Sequence, residues 1–497
     1  MPEILKVTLA SRRDLAERTQ RIDKLLILTN FQGRVYRKSL NYSISDTVLW
    51  SGPLNDLTLI TKLVQGLPHR SGKVLVINGD VSIASQIKST HGHWQVISVN
   101  AEKKQGIPDT IYDLFDGNNI TSETNHIQPN SLNAVIFGIR ISQTVKYNQL
   151  LNRIHCLLAK DGIVLTAIEN ARHHSFLSCL AEGDFPLTAD DEISYSSLPF
   201  TRSSAQRFFL NAGYSPDLFD VISDDIPSVK LQAFHALLGH NRAINAIDHI
   251  EYKAKTLFFR LHPFCKEVPQ NQTSQLMLTF VVCLSNENIL RSNLLASPDL
   301  AQGHKHEMIF IRNCSSAAEG LNMGLENAKN EIVICIHQDV FLPKGWCDRF
   351  SDCWFQAQSL YGPLGVVGVY GVVEQANNSI RAGHVIDRIR MLKEFFPLPV
   401  PCRTLDELLL AIPRNSLIRF DPNLGFHLYG ADACLQAQRL GLANVIIETP
   451  CLHNSRTITL PNEFSASATA FSRKWQTELP VSTPCVKILR SGDFHEW

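Results

Sequence analysis

The chain has 497 residues, too many for one hydrophobic core, so it divides into two or three domains. Its 44% hydrophobic and 19% charged fractions are those of an ordinary globular protein. Lys+Arg and Asp+Glu both total 47, which removes the global field that recruits nucleic acid or anionic membrane, and no apolar run nears the roughly 20 residues of a membrane-spanning helix.

The opening segment, residues 1–24, lacks the apolar core and cleavage site of a signal peptide and reads as a charged helix, or a strand followed by one. The twelve cysteines contain no CxxC pair and are scattered through apolar runs such as Val281-Val282-Cys283 and Val333-Ile334-Cys335. They are expected to be reduced, mostly buried thiols, which favours a cytoplasmic location.

Two α/β blocks follow. In the first, Lys73 to Ile77, Gln95 to Val99, Ala134 to Phe137 and Ile163 to Ile168 read as buried strands. A helix runs from Tyr147 to Leu158, with apolar positions at helical spacing, and stops at Lys160-Asp161-Gly162. Strands alternating with helices through Gly-containing turns predict a doubly wound parallel sheet. Residues 263–275, rich in Pro, Gln, Asn and Ser, read as a linker between a domain at 1–262 and another at 276–497.

In the second block Thr279 to Leu284, Met308 to Arg312, Ile332 to His337 and the glycine-laced Gly365 to Val373 are predicted strands. The helix before the third of these starts with a Ser316-x-x-Glu319 capping box and carries Leu321, Leu325 and Ala328 on one face. The third strand runs straight into His337-Gln338-Asp339. A carboxylate at the carboxyl end of a buried strand is where open α/β sheets place ligand chemistry.

Transfer of a group from a nucleoside diphosphate needs a cation for the leaving diphosphate and a base for the acceptor hydroxyl. Asp339 is the candidate ligand for Mg²⁺ or Mn²⁺, which bind few protein carboxylates and complete their shells with phosphate and water. His453, after the strand-like run Asn444 to Ile447, is a candidate second ligand, and His337 a third contact or simply a packed side chain. Asp432, in the Gly turn leading into a helix that ends at Leu440-Gly441, is either the base or a cap of that helix.

Together these residues resemble a family-2-type glycosyltransferase of the GT-A fold, in the subgroup named after a streptomycin-biosynthesis protein. The matching elements are Ala317 to Asn322, Ile336 to Val340 with Trp346, Gly365 to Gly371, Thr404 to Glu407, Phe426 to Gln436, His453 and Lys474-Trp475. The resemblance implies a nucleotide-sugar donor, UDP-linked as the family-weighted choice, and a glycan, lipid-linked or protein acceptor. It places Asp339 on the metal and diphosphate, and Asn322, Ser285 and Asn313 on the donor side. It places Asp406 and Glu407 on the acceptor side, with Asp432 as base in a single inverting displacement. His337-Gln338-Asp339 stands where most of the family has Asp-x-Asp.

The first block resembles class I S-adenosylmethionine-dependent methyltransferases over about residues 50–235. The resemblance rests on Val74 to Asp80, Leu157 to Gly162, Glu169-Asn170, and Phe200-Thr201 through Ala212-Gly213-Tyr214. It implies a cofactor site at Asn78, Gly79, Asp80 and Asn100. The turn has one glycine where the family has two or three, and Asn100 stands where a carboxylate takes the ribose. Two readings remain, a working methyltransferase and a degenerate partner-binding or structural domain. His173-His174 reads as a solvent-facing loop pair. The expected protein is therefore an α/β glycosyltransferase with a methyltransferase-like Rossmann domain. The alternatives are a glycan methyltransferase with a recruiting C-terminal module, and a non-catalytic scaffold in polysaccharide assembly.

Overall fold

The computed structural model describes residues 3–6, 28–29, 35–36, 57–77, 81–99, 127–140, 145–181, 200–237, 244–264, 275–301, 303–375, 378–394, 397–456 and 459–496. The first block folds around a six-stranded sheet in the order Trp94–Val99, Gly72–Ile77, Leu132–Arg140, Leu158–Glu169, Ala254–Pro263, Tyr214–Ser223. All pairs are parallel except those of Ala254–Pro263, which runs against both neighbours. The reason lies in the residues of Gly72–Ile77. Alternate side chains of a strand face opposite ways: Leu75 and Ile77 enter one core with Phe137, Tyr147 and Leu151, while Val74 and Val76 enter another with Leu59, Leu63 and Ile83. A strand covered on both faces must be apolar throughout, as KVLVI is.

The second block repeats the logic in an eight-stranded mixed sheet. Its order is Glu3–Lys6, Glu307–Arg312, Leu278–Leu284, Ile332–Ile336, Leu409–Pro413, Leu364–Gly368, Ala443–Ile446, Val400–Pro401. Phe280, Val282, Ile334 and Ile336 face one core, and Val281, Val333 and Cys335 the other. The mixed α/β, Rossmann-like fold class expected from sequence is the one observed. No helix among the described residues is long and apolar enough to cross a membrane.

Three details differ from the sequence reading. Glu3–Lys6 is an edge strand of the second sheet, antiparallel to Glu307–Arg312, so the chain's start joins the C-terminal block. Gly365 to Val373 is two strands, Leu364–Gly368 and Tyr370–Gln375, in different sheets. The chain changes sheets at Val369, and a Cβ on Gly371 would lie 2.4 Å from the Thr404 carbonyl oxygen, which is why that strand is laced with glycine. At the helix Ala317–Asn327, Ser316 Oγ accepts from the Glu319 N–H at 3.1 Å, but the Glu319 carboxylate turns to Ser315 rather than completing the box.

The two blocks are pinned together. Ser215 Oγ of the first lies 2.8 Å from His384 Nε2 of the second, whose Nδ1 meets Glu448 Oε1 at 2.8 Å. Leu210, Phe264, Phe341, Ile386 and Leu452 form one apolar cluster across the junction. Arg202, 0% exposed, pairs with buried Glu251 at 2.9 Å and donates to the Arg388 carbonyl at 2.8 Å and to Asn454 Oδ1 at 3.0 Å.

Candidate functional site

Strand register assembles the site. A short sheet places Val340 opposite His453, and His453 opposite Asp387. Asp339, one residue before Val340, thus arrives beside His453, with 3.5 Å between Oδ1 and Nε2. His453 Nδ1 lies 2.9 Å from Asp387 Oδ1. Burial would lower the His453 pKa, but Asp339 and Asp387 on either side push it up to about 10. Burial likewise raises the Asp339 carboxyl, and His453 outweighs it, holding the group well below the usual carboxylate range. Burial keeps His337 neutral, with a pKa near 4, while its Nε2 meets Tyr429 Oη at 2.9 Å. His337, Asp339 and His453 each offer a ligand atom, all within 4.8 Å of one another, and a cation binding there would displace the proton that His453 holds between its two carboxylates. Two imidazoles and one carboxylate suit Mn²⁺ better than the oxygen-preferring Mg²⁺.

Two cavities meet here. One, of about 600 Å³, is lined by Ser285, Glu287, Arg312, Asn313, Asp339 and Phe426 among others. The second, of about 480 Å³, is lined by Asp387, Arg388, Asp406, His427 and His453 among others. His337 and Glu407 belong to both walls. Burial pushes the Glu407 carboxyl up to about 8, against the opposing effect of the Gly430 N–H donating to Oε1 at 3.1 Å. Burial also raises Asp406, whose Oδ1 accepts from the Leu408 N–H at 3.0 Å.

Ser285, Asn313, Asp339, His337, His453, Asp406 and Glu407, all singled out in the sequence, therefore line one of these cavities. Gln338, between His337 and Asp339, has a structural task. Its Oε1 accepts from the N–H groups of Ser285 and Asn286, and its Nε2 donates to Ser285 Oγ at 2.7 Å, so it pins the loop that walls the first cavity.

Two of the residues named from the sequence lie away from both cavities. Asp432 is 0% exposed and lines neither cavity. Trp475 Nε1 at 2.8 Å and Lys474 Nζ at 2.8 Å reach its Oδ1, and Gln436 Nε2 donates to Oδ2 at 2.7 Å. It clasps helices Tyr429–Arg439 and Phe464–Lys474 together. Asn322 uses both ends of its amide on the Phe420 backbone, at 2.8 and 2.9 Å, and does not line the first cavity. The proposed cofactor residues Asn78, Gly79, Asp80 and Asn100 lie outside the described residues.

Sequence reasoning missed Arg312, Asp387 and Tyr429. Arg312 ends a buried parallel strand and pairs with Glu287 at the cavity, a signal present in the run EMIFIR. Asp387 has no local signal, because only long-range register brings it to His453.

A family profile described as "Glycosyltransferase like family" matches residues 279–475, less than half of the chain. That segment is a glycosyltransferase-like domain. No curated protein matches the sequence. Among solved structures, a SAM dependent methyltransferase from Archaeoglobus fulgidus is 12% identical over 41% of this chain and 93% of its own, with a TM-score of 0.25. An S-adenosylmethionine dependent methyltransferase from Mesorhizobium loti is 13% identical over 40% of this chain and 95% of its own, with a TM-score of 0.24.

Proposed function

We propose that the domain at 276–497 transfers a sugar from a nucleoside-diphosphate donor, UDP-linked in the first instance, to a hydroxyl of a glycan, lipid-linked or protein acceptor. The observation that carries this reading is the shared wall: a cavity that holds Asp339 and the Arg312–Glu287 pair and a second that holds Asp387, Arg388 and Asp406 meet at His337 and Glu407. Both volumes fall within the range of ordinary ligand pockets.

The first cavity receives the donor. Arg312 faces the diphosphate, and exposed Phe426 offers an apolar face at the rim. His337, Asp339 and His453 would hold a Mn²⁺ ion, which supplies charge for the departing diphosphate. Asp387 orients His453 through Nδ1, as a carboxylate on the far nitrogen of a ligating imidazole does. The acceptor enters from the second cavity, where Asp406 and Arg388 bind its polar groups. As the acceptor oxygen bonds to the anomeric carbon, the bond from that carbon to the diphosphate oxygen breaks. The hydroxyl proton passes to Glu407, which replaces Asp432 as the base.

Glu407→Gln tests this assignment. It should lower turnover by about 10²- to 10⁴-fold, the usual worth of a general base, with donor affinity unchanged. Full turnover by that variant removes Glu407 from the mechanism.

A further inference from the structure

A second cluster of ligating side chains lies outside the transfer site, at the carboxyl edge of the first sheet. Strand Leu158–Glu169 ends just before the turn that carries His173 and His174, and the parallel strand Tyr214–Ser223 ends just before Asp224. The sequence reading placed the histidine pair in solvent. Instead His173 is 3% exposed. We propose that His173, His174 and Asp224 form a zinc-binding site of this chain, distinct from the Asp339 cluster.

The geometry is that of a built site. Each of the three offers a ligand atom, and these atoms lie within 4.8 Å of one another. His173 Nε2 and Asp224 Oδ2 are 3.4 Å apart. That is the edge of a tetrahedron whose metal–ligand bonds are about 2.1 Å. The two imidazole rings stand 4.2 Å apart, centroid to centroid.

The supporting backbone is fixed from one place. Asn170 Nδ2 donates to the carbonyls of Glu251 and Ala254, both at 2.8 Å, and the Asp224 N–H donates to the Lys253 carbonyl at 2.9 Å. Both arms of the cluster therefore hang from residues 251–254. His173 Nδ1 lies 2.6 Å from Ser175 Oγ, which sets the ring and leaves Nε2 facing Asp224.

The cluster also leaves polar atoms without partners. His173 Nε2 and both ring nitrogens of His174 are buried and accept or donate no hydrogen bond among the described residues. A buried nitrogen without a hydrogen-bond partner is costly, and the two of His174 beside His173 Nε2 call for an explanation. An ion between them supplies it. Burial, His174, Lys255 and Lys230 hold His173 at about 4, and burial and Lys230 lower His174, while Asp224 opposes both shifts. The two lysines also repel a cation, and the Asp224 carboxylate is the local charge that offsets them. Asp224 is exposed, so three protein ligands leave an open position toward solvent.

In the competing arrangement the Ser175 N–H, 3.4 Å from His173 Nδ1, donates to that nitrogen. His173 Nε2–H then donates weakly to Asp224 and no metal binds. The test is calorimetric titration of Zn²⁺ into the full chain carrying Asp339→Asn and His453→Ala, which silences the other cluster. One equivalent should bind, and adding His174→Ala or the surface change Asp224→Asn should weaken it at least about 10-fold. The same two changes in the otherwise unmodified chain should lower the bound zinc by one equivalent. Absence of zinc uptake, or uptake indifferent to both changes, overturns the proposal.

Discussion

Position 407 holds a carboxyl between two cavities with its pKa pushed up to about 8. A base must be ionised to accept a proton, so turnover should rise with pH through about 8 and level above it. A pH–rate profile flat from 6 to 9 would contradict this. Asp432 has the opposite character. Its oxygens are taken by Trp475, Lys474 and Gln436, and burial raises its pKa despite the pull of Lys474. Asp432→Ala strands the buried Trp475 indole N–H, while Lys474 keeps Asp421, which should cost about 1–3 kcal/mol in denaturant unfolding. Donor affinity, read by calorimetry at a temperature where the variant is folded, should stay within about threefold.

Among the elements, long apolar strands were legible because their cause is local. A run such as VLVI or IVICI has no amphipathic alternative, and its burial on both faces follows directly. The same holds for Asp339, placed by the end of such a strand. What was not legible depends on register between distant segments. Asp387 meets His453 only because the strands Asn378–Asp387 and Leu452–His453 pair in parallel. Asp432 sits one turn into its helix, where a base looks plausible, and only the packing of Lys474 and Trp475 shows it to be a clasp. The bend between sheets was hidden for the same reason. Gly383, with φ of 120°, would place a Cβ 2.3 Å from the Val369 carbonyl oxygen. Gly383→Ala should therefore destabilise the fold by about 2 kcal/mol or more, a loss that thermal unfolding would register.

At the scale of the whole molecule, the first block braces the segments that carry Asp387 and His453 through the buried Arg202 and its neighbour Gln206. Arg202 holds the carbonyl of Arg388, next to Asp387, and the side chain of Asn454, next to His453. Arg202→Met removes the Asn454 contact and one of two donors to the Arg388 carbonyl, Gln206 Nε2 at 2.8 Å being the other, and should lower turnover more than about tenfold while the chain stays folded; unchanged kinetics would separate the two blocks functionally. Glu251 shows the same junction through pH. Burial would raise its carboxyl, but Arg202, Arg172 and Arg456 hold it at about 2, below its ordinary 4.5. A depressed carboxyl contributes stability that is fully present above pH 4.5 and is lost as pH falls toward 2. The share at stake is on the order of 3 kcal/mol. Glu251→Gln should flatten that acid limb of the stability curve.

The central claim is that Asp339 and its histidine neighbours seat the cation that carries the donor's diphosphate. Calorimetric titration of UDP into the full chain, with and without Mn²⁺, compares wild type with Asp339→Asn most directly. The wild type should bind UDP in a Mn²⁺-dependent manner, and the variant should lose that dependence with at least tenfold weaker binding. Equal, metal-independent binding by both proteins would contradict the account.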